Sequence, residues 1–313
     1  MKRSQIQLRD DMLAIWQAAV EGVLPKHLIR ENVALEDDAI WICDREYPLR
    51  QIDHITVVGA GKASGAMAEA LEQTLAPLVE QNRLSGWINV PDDCVQTLKA
   101  IHLHGARPAG VNEPTEAGLL GTSKMLEIVR SKQQKAGQLV ITLISGGGSA
   151  LMPSLEQGIT LAQKLAVTKF LSSIGATIEE INTVRKQLSR LKGGGLKREC
   201  EGMHLVSLIL SDVTGDPLDV IASGPTVDST TTSWDAAAVL RKYRMADHSE
   251  YAETGKTVLT FLENRTSPQI CPVSDSHAKD DTIYDSSGGS VRNVIIGNNA
   301  AAVDAAEIGR AHV

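Results

Sequence analysis

The chain has 313 residues, a net charge of −7 and only 3% aromatic residues. This length accommodates two domains, and its scattered basic residues argue against a nucleic-acid partner, which usually demands a basic face. No apolar run approaches the ~20 residues of a membrane span, no secretory signal follows Met1, and the four cysteines form no CxxC pair. We therefore expect a cytoplasmic protein with reduced thiols and no membrane partner.

Apolar residues at helical spacing predict an amphipathic helix over residues 8–24, and a hairpin is predicted over 33–43. Strands then alternate with helices. Strands are predicted over 55–58, 86–90, 101–103, 139–144, 204–210 and 293–299, and helices over 62–79, 113–130, 161–174, 178–192, 234–243, 251–264 and 300–307. This alternation predicts an α/β fold, a Rossmann-like α/β/α sandwich with a mostly parallel sheet.

We expect a Rossmann-like domain over residues 1–250, a linker or loop region over 251–290, and the start of a second α/β domain over 291–313. The last six residues, 308–313, are what a common sequencing-adapter read encodes. We therefore expect these residues to be artefactual, the native chain to continue, and the second domain to be truncated.

A glycine-rich turn joins the first strand of the alternation to the next helix and contains Gly59, Gly61 and Lys62. Glycines let a phosphate approach the backbone, and the helix N-terminus favours negative charge. The spacing is not that of a Walker A loop, which needs four residues between Gly and Gly-Lys, and GxGxxxG is one residue too long for a dinucleotide fingerprint. Asp92 and Asp93 also come too late in the sequence to bind the ribose. The alternative is a tight turn with a solvated lysine.

The strand over 139–144 runs into Ser145, Gly146, Gly147, Gly148 and Ser149. Three consecutive glycines are costly in conformational entropy, so they call for a reason. An anion nest of backbone N–H groups is one such reason. A plain flexible loop is the alternative.

Arg185 and Lys192 precede a second glycine run that includes Gly193 and Gly194. Together they predict a clamp for phosphate or carboxylate. An ordinary solvated helix face with a glycine C-cap is the other interpretation.

Asp212 follows the strand over 204–210, with Asp216 four residues on. Mg²⁺ is usually held by one or two carboxylates plus substrate phosphates, so these residues are candidate metal ligands. A turn that uses aspartate and glycine for its geometry is the alternative. Ser223 and Gly224 close the loop and are candidate backbone donors.

In these motifs the chain resembles the glycerate 2-kinases of the MOFRL-domain type, whose members are often labelled hydroxypyruvate reductases. The matching segments are residues 58–63, 145–151, 182–186, 191–195, 211–216 and 221–226. The resemblance covers nearly the whole chain but lacks most of the family's C-terminal domain. It therefore leaves open whether this fragment is active by itself.

The resemblance implies phosphorylation of D-glycerate to 2-phosphoglycerate with ATP and Mg²⁺. On this basis we assign Lys62, Arg185 and Lys192 to catalysis and Asp212 with Asp216 to Mg²⁺, while the glycine loops bind substrate or nucleotide. A homodimer is a further expectation. Two other functions stay open, an NAD(P)H-dependent hydroxypyruvate reductase and a non-catalytic nucleotide- or anion-binding protein.

Overall fold

The computed structural model describes residues 4–133, 137–265, 283–284 and 288–311. The strands are β1 (Val33–Glu36), β2 (Ala39–Ile42), β3 (Arg45–Pro48), β4 (His54–Ala60), β5 (Leu84–Pro91), β6 (Ile101–Arg107), β7 (Gln138–Ile144), β8 (His204–Leu210), β9 (Ile283–Tyr284) and β10 (Ser290–Gly297). The helices are α1 (Gln5–Glu21), α2 (Pro25–Asn32), α3 (Ser64–Thr74), α4 (Ala76–Glu80), α5 (Glu116–Arg130), α6 (Gly148–Leu151), α7 (Leu161–Ser173), α8 (Ile178–Gln187), α9 (Gly195–Glu199), α10 (Ser233–Lys242), α11 (Ala252–Asn264) and α12 (Asn299–Ala311).

The central sheet has the strand order β6-β5-β4-β7-β8-β10-β9. Every neighbouring pair is parallel except β9 with β10. The six parallel strands follow the doubly wound order 3-2-1-4-5-6, which reverses between β4 and β7. The predicted α/β fold with a mostly parallel sheet is confirmed. Strands β1 to β3 form a separate antiparallel sheet.

Helices cover both faces of the central sheet, and the pleat of β4 shows how. Val57 belongs to the apolar cluster that contains Met67 of α3, whereas its neighbour Val58 belongs to the cluster that contains Met125 of α5. Successive side chains of a strand point to opposite faces, so α3 and α5 lie on opposite sides. All seven residues of β7 are buried, as expected for a central strand covered twice.

A third apolar cluster joins four helices. It contains Phe170 of α7, Val184 of α8, Leu240 of α10 and Val258 of α11. Helix α11 lies within the segment 251–290 that we assigned to a linker or loop, and most of the remainder of that segment lies outside the described residues.

The strand predicted to open a second domain is the sixth parallel strand of the main sheet, because β10 pairs with β8. Helix α12 packs along α1. Of the final six residues, 308–311 continue α12, and 312–313 lie outside the described residues. The division of the chain at 250 and 290 stays a prediction. None of the described helices has the length and apolar character that a bilayer span requires.

Two predicted helices are longer than the helices observed. The helix predicted over 62–79 is two helices, α3 and α4, with Pro77 in the first turn of the second, a position that proline tolerates while it ends the preceding helix. The helix predicted over 178–192 ends at Gln187, because Ser189 turns away to bridge Leu155. The capping box at its start, with Thr177 and Glu180, is present as predicted.

Candidate functional site

A cavity of about 710 Å³ lies beyond the carboxyl ends of β7 and β8. The loop 145–150, the helices α7 and α8, and Asp212 contribute to its wall. The cavity thus borders the region where the strand order reverses, which is where open α/β sheets bind ligands.

The two glycine-rich loops that follow β4 and β7 are bound to each other. Ser145 Oγ accepts a hydrogen bond from the Ala63 amide at 3.0 Å, and the Lys62 amide donates to the Gly146 carbonyl at 3.0 Å. A Cβ at Gly59 would lie 2.0 Å from the Leu143 carbonyl oxygen, and one at Gly61 would lie 2.0 Å from Ser145 Oγ. This close approach explains both glycines, neither of which lines the cavity. Their contact with a ligand stays a prediction.

The loop after β7 has the geometry of the predicted anion nest. Gly147 has a φ of +84°, and the amides of Gly146 and Gly147 donate no hydrogen bond within the part of the chain that the structure describes. Both glycines, with Gly148, line the cavity. Free backbone amides in such a turn are what an anion nest offers a ligand.

Two cationic side chains flank Gly147. A Cβ at this glycine would lie 3.7 Å from Lys62 Cε and 2.9 Å from Arg107 Nη2. Lys62 is exposed, whereas Arg107 is buried at the end of β6 and donates to Asn112 Oδ1 at 3.0 Å. The sequence predicted Lys62 but not Arg107, whose place at a strand end beside the glycine loop depends on the order of the strands.

Ser149 is the point where the predicted catalytic cations meet. Its Oγ accepts hydrogen bonds from Arg185 Nη2 and from Lys192 Nζ, both at 2.6 Å, and lies 3.1 Å from Ser223 Oγ. Lys192 Nζ also lies 3.0 Å from the Ser149 carbonyl oxygen and 3.3 Å from that of Ala222. Lys192 therefore ties the start of α6 to the turn at 222–224.

That turn is left-handed at three consecutive residues, Ala222, Ser223 and Gly224, with φ angles of +50°, +63° and +62°. The amide of Gly193 donates to the Ser223 carbonyl at 3.1 Å, and that of Gly194 donates to the Gly224 carbonyl at 2.8 Å. Since these amides are used by the turn, the structure gives Gly193 and Gly194 a structural role. Their predicted contact with substrate stays a prediction.

Lys164 of α7 is a site residue that the sequence reasoning missed. It lines the cavity, its side chain is almost completely buried, and its Nζ has no hydrogen-bond partner among the described residues. Burial, assisted by the positive charge of Arg185, lowers the pKa of Lys164 to about 7. The sequence carries a local sign that Lys164 is buried, because it shares helical spacing with Val167 and Leu171, which are buried.

Positive charge is concentrated around this cavity although the whole chain is acidic. Burial lowers the pKa of Arg185, and it lowers the pKa of Lys192 further with help from the charges of Arg185, Lys164 and Lys186. Lys186 has a counter-ion, since its Nζ lies 3.2 Å from Asp219 Oδ2. An anion in the cavity would favour the charged forms of Lys164, Arg185 and Lys192.

The two predicted metal ligands lie in different surroundings. Asp212 is exposed and lines the cavity, and a Cβ at Gly146 would lie 2.4 Å from its Oδ2. Asp216 does not line the cavity, and its Oδ2 accepts a hydrogen bond from Asn298 Nδ2 at 2.5 Å. The described residues contain no group of three or more histidine, cysteine or acidic side chains that could hold a metal ion. A single carboxylate beside a phosphate site still fits Mg²⁺, and Asp212 is the residue that fits.

Asp92 and Asp93 also lie elsewhere than their spacing suggests. They follow β5 directly, and β5 is the neighbour of β4 in the sheet. Dinucleotide-binding folds place their ribose-binding carboxylate near this position. The sequence distance is long because the connection contains two helices, α3 and α4.

The fold and the cavity together define the general class of a doubly wound α/β protein with a cation-lined cavity beside its strand-order reversal. The chain belongs to the family described as "Domain of unknown function (DUF4147)", whose model matches residues 11–257.

Similar proteins confirm the resemblance to glycerate kinases. A glycerate kinase of Bos taurus is 34% identical over 97% of this chain and 56% of its own length. A putative hydroxypyruvate reductase of Agrobacterium vitis is 38% identical over 78% of this chain and 50% of its own length. The crystal structure of a glycerate kinase from Thermotoga maritima matches with a TM-score of 0.73 and 28% identity over 98% of this chain and 63% of that one. The chain thus spans about half the length of the curated relatives that it matches.

Proposed function

We propose that the chain carries the phosphate-binding part of an ATP-dependent glycerate 2-kinase, which converts D-glycerate to 2-phosphoglycerate with Mg²⁺. The observation that carries this proposal is the loop after β7, whose glycines Gly146 and Gly147 lie on the cavity wall with free amides. Lys62 and Arg107 flank Gly147, although neither lines the cavity itself. The names of the relatives supply the substrate class.

Phosphoryl transfer depends mostly on positioning and charge neutralisation. In this proposal the loop amides and Lys62 bind the transferring phosphoryl group, and Arg185, which contacts Ser149 of the same loop, neutralises charge. Lys192 is a positioning residue, because its ammonium is engaged by Ser149 and the 222–224 turn.

Asp212 is the residue that would hold Mg²⁺, together with phosphate oxygens. Bound Mg²⁺ would supply charge neutralisation at the phosphates. Asp216 is the second candidate for Mg²⁺, because it does not line the cavity and one of its oxygens already accepts a hydrogen bond from Asn298.

A nicotinamide-dependent hydroxypyruvate reductase is the second candidate. The position of Asp92 after β5 favours it, as does the name of the Agrobacterium relatives. Against it, Ser145 fills the space that Gly61 would leave for a pyrophosphate. The third candidate, a non-catalytic anion-binding protein, predicts ligand binding without turnover.

Calorimetric titration of the chain with ATP and Mg²⁺, and separately with NADPH, distinguishes the kinase from the reductase, and turnover distinguishes the kinase from a non-catalytic binder. The kinase proposal predicts ATP binding that strengthens with Mg²⁺ and no NADPH binding. Tight NADPH binding without ATP binding would favour the reductase.

A further inference from the structure

Lys164 differs from the other buried lysines at the site in having no partner among the described residues. Lys192 has four oxygen atoms within 3.4 Å of its Nζ, and Lys186 has Asp219. Lys164 Nζ is buried on the cavity wall without a hydrogen bond to any described residue. The proposed phosphate site does not use it.

An unpartnered ammonium in a buried position is expensive for the fold. A buried donor without an acceptor costs about 1–3 kcal/mol, and more when it is charged. The neighbouring charge is Arg185, which increases this cost instead of offsetting it. An anion that enters the cavity would supply the missing partner.

The surroundings of Lys164 favour a small monoanion. Arg185 is the neighbouring cation, and the apolar side chains Leu165, Ile178 and Ile181 line the same cavity. The proposed phosphate site already offers Lys62, Arg107 and the free loop amides at Gly147 as binding groups. A carboxylate with a short carbon skeleton matches one ammonium beside an apolar wall better than a polyphosphate does.

We propose that Lys164 binds the carboxylate of the phosphoryl acceptor, which makes this buried lysine a residue that determines acceptor specificity. This inference rests on the proposed function and adds the residue that recognises the acid. Arg185 lies between the two subsites, because its guanidinium also contacts Ser149 at the start of α6.

The protonation of Lys164 provides a second readout, which is the pH dependence of carboxylate affinity. Its pKa of about 7 means that a carboxylate binding above this pH must bring a proton onto Nζ. Affinity should therefore fall as the pH rises above about 7, by up to about tenfold per unit. The other charged groups on the cavity wall are Glu113, Lys169, Arg185 and Asp212. Helix α11, which packs on α7, contributes apolar Val258 and Leu262 to their shared cluster.

Calorimetric titration of Lys164→Met with D-glycerate tests the inference, with Lys256→Met as the matched control on the exposed face of α11. At about pH 6.5 we expect the Kd for D-glycerate to rise by about tenfold or more in Lys164→Met, which is the loss of one charged hydrogen bond. The pH dependence above about 7 should disappear with it. ATP binding should be unchanged, and Lys256→Met should match wild type in all respects.

Two results would overturn the inference while leaving the kinase proposal intact. One is wild-type affinity for D-glycerate in Lys164→Met, and the other is a selective loss of ATP affinity, which would assign Lys164 to the phosphates. If the wild-type chain binds ATP and no carboxylate, the acceptor class of the proposed function fails together with the inference. Circular dichroism establishes that each variant is folded before it is titrated.

Discussion

At the residue scale, we expect the exposed side chain of Lys62 to matter for activity and not for stability. It extends over Gly147 into solvent, and its contribution to packing is small. We expect Lys62→Ala to lower phosphoryl transfer by at least about 100-fold, while its free energy of unfolding stays within about 0.5 kcal/mol of wild type. A coupled ADP-release assay and urea unfolding measure the two effects. Wild-type turnover in this variant would remove Lys62 from the site.

For Lys164 we expect the opposite of Lys62: removal of its buried charge should stabilise the fold. Its pKa is lowered from 10.5 to about 7 in the folded protein. Between these two pH values the unfolded chain binds a proton that the folded chain does not, so wild-type stability rises with pH there, by up to about 1.4 kcal/mol per unit. At or below about pH 7 the folded protein buries the charge and bears its full cost.

The stability gained by Lys164→Met should therefore be largest at about pH 6.5 and shrink towards about pH 9. Urea unfolding of both proteins at the two pH values measures this difference. If Lys164→Met raises the free energy of unfolding by the same amount at both pH values, burial of the charge is not the cause of the gain.

At the scale of the elements, the contact between β4 and β7 determines the shape of the site. Gly59 is required because a Cβ there would overlap the Leu143 carbonyl oxygen at 2.0 Å. We expect Gly59→Ala to lower the free energy of unfolding by several kcal/mol, on the order of ~4.

Gly110→Ala is the control for this substitution. Gly110 also has a positive φ, but a Cβ there would meet no atom within 4 Å, so its cost should be only the ~1–2 kcal/mol of left-handed backbone. Equal losses in the two variants, measured by urea unfolding, would contradict the overlap argument.

The strands and the main loops could be predicted because their signals are local. The strand predicted over 204–210 has the same first and last residue as β8, and the glycine run at 145–149 follows β7 as expected. Helix ends were less predictable, since the end of α8 depends on the bridge between Ser189 and Leu155, which are far apart in sequence.

Part of the candidate site could also be predicted from the sequence, and part could not. Arg185, Lys192 and Ser149 stood out beside glycine runs, and the structure brings them together. Lys164 and Arg107 did not stand out, because a lysine in a helix and an arginine at a strand end are ordinarily solvated. Their burial depends on how the helices and strands pack. For Lys164 the helical spacing that it shares with Val167 and Leu171 is a local sign of burial, whereas Arg107 has no such sign.

At the scale of the whole molecule, an acidic chain places the cationic side chains of Lys164, Lys169 and Arg185 on the wall of one cavity beside the point where the strand order reverses. Lys62 and Arg107 lie next to the glycine loop of that cavity. This arrangement is the reason for proposing phosphoryl transfer to a small acid. The same fold with the carboxylate of Asp92 after β5 is the reason for keeping the reductase as the competitor.

The most direct test is ³¹P NMR of stoichiometric protein with ATP, Mg²⁺ and D-glycerate, run beside an assay of NADPH oxidation with hydroxypyruvate. Because phosphoryl transfer has a distinct product, even a single slow turnover is visible. The account predicts a new phosphomonoester resonance coupled to the proton on C2 of glycerate, with matching ADP and no oxidation of NADPH. Oxidation of NADPH by hydroxypyruvate without any phosphoryl transfer would contradict it.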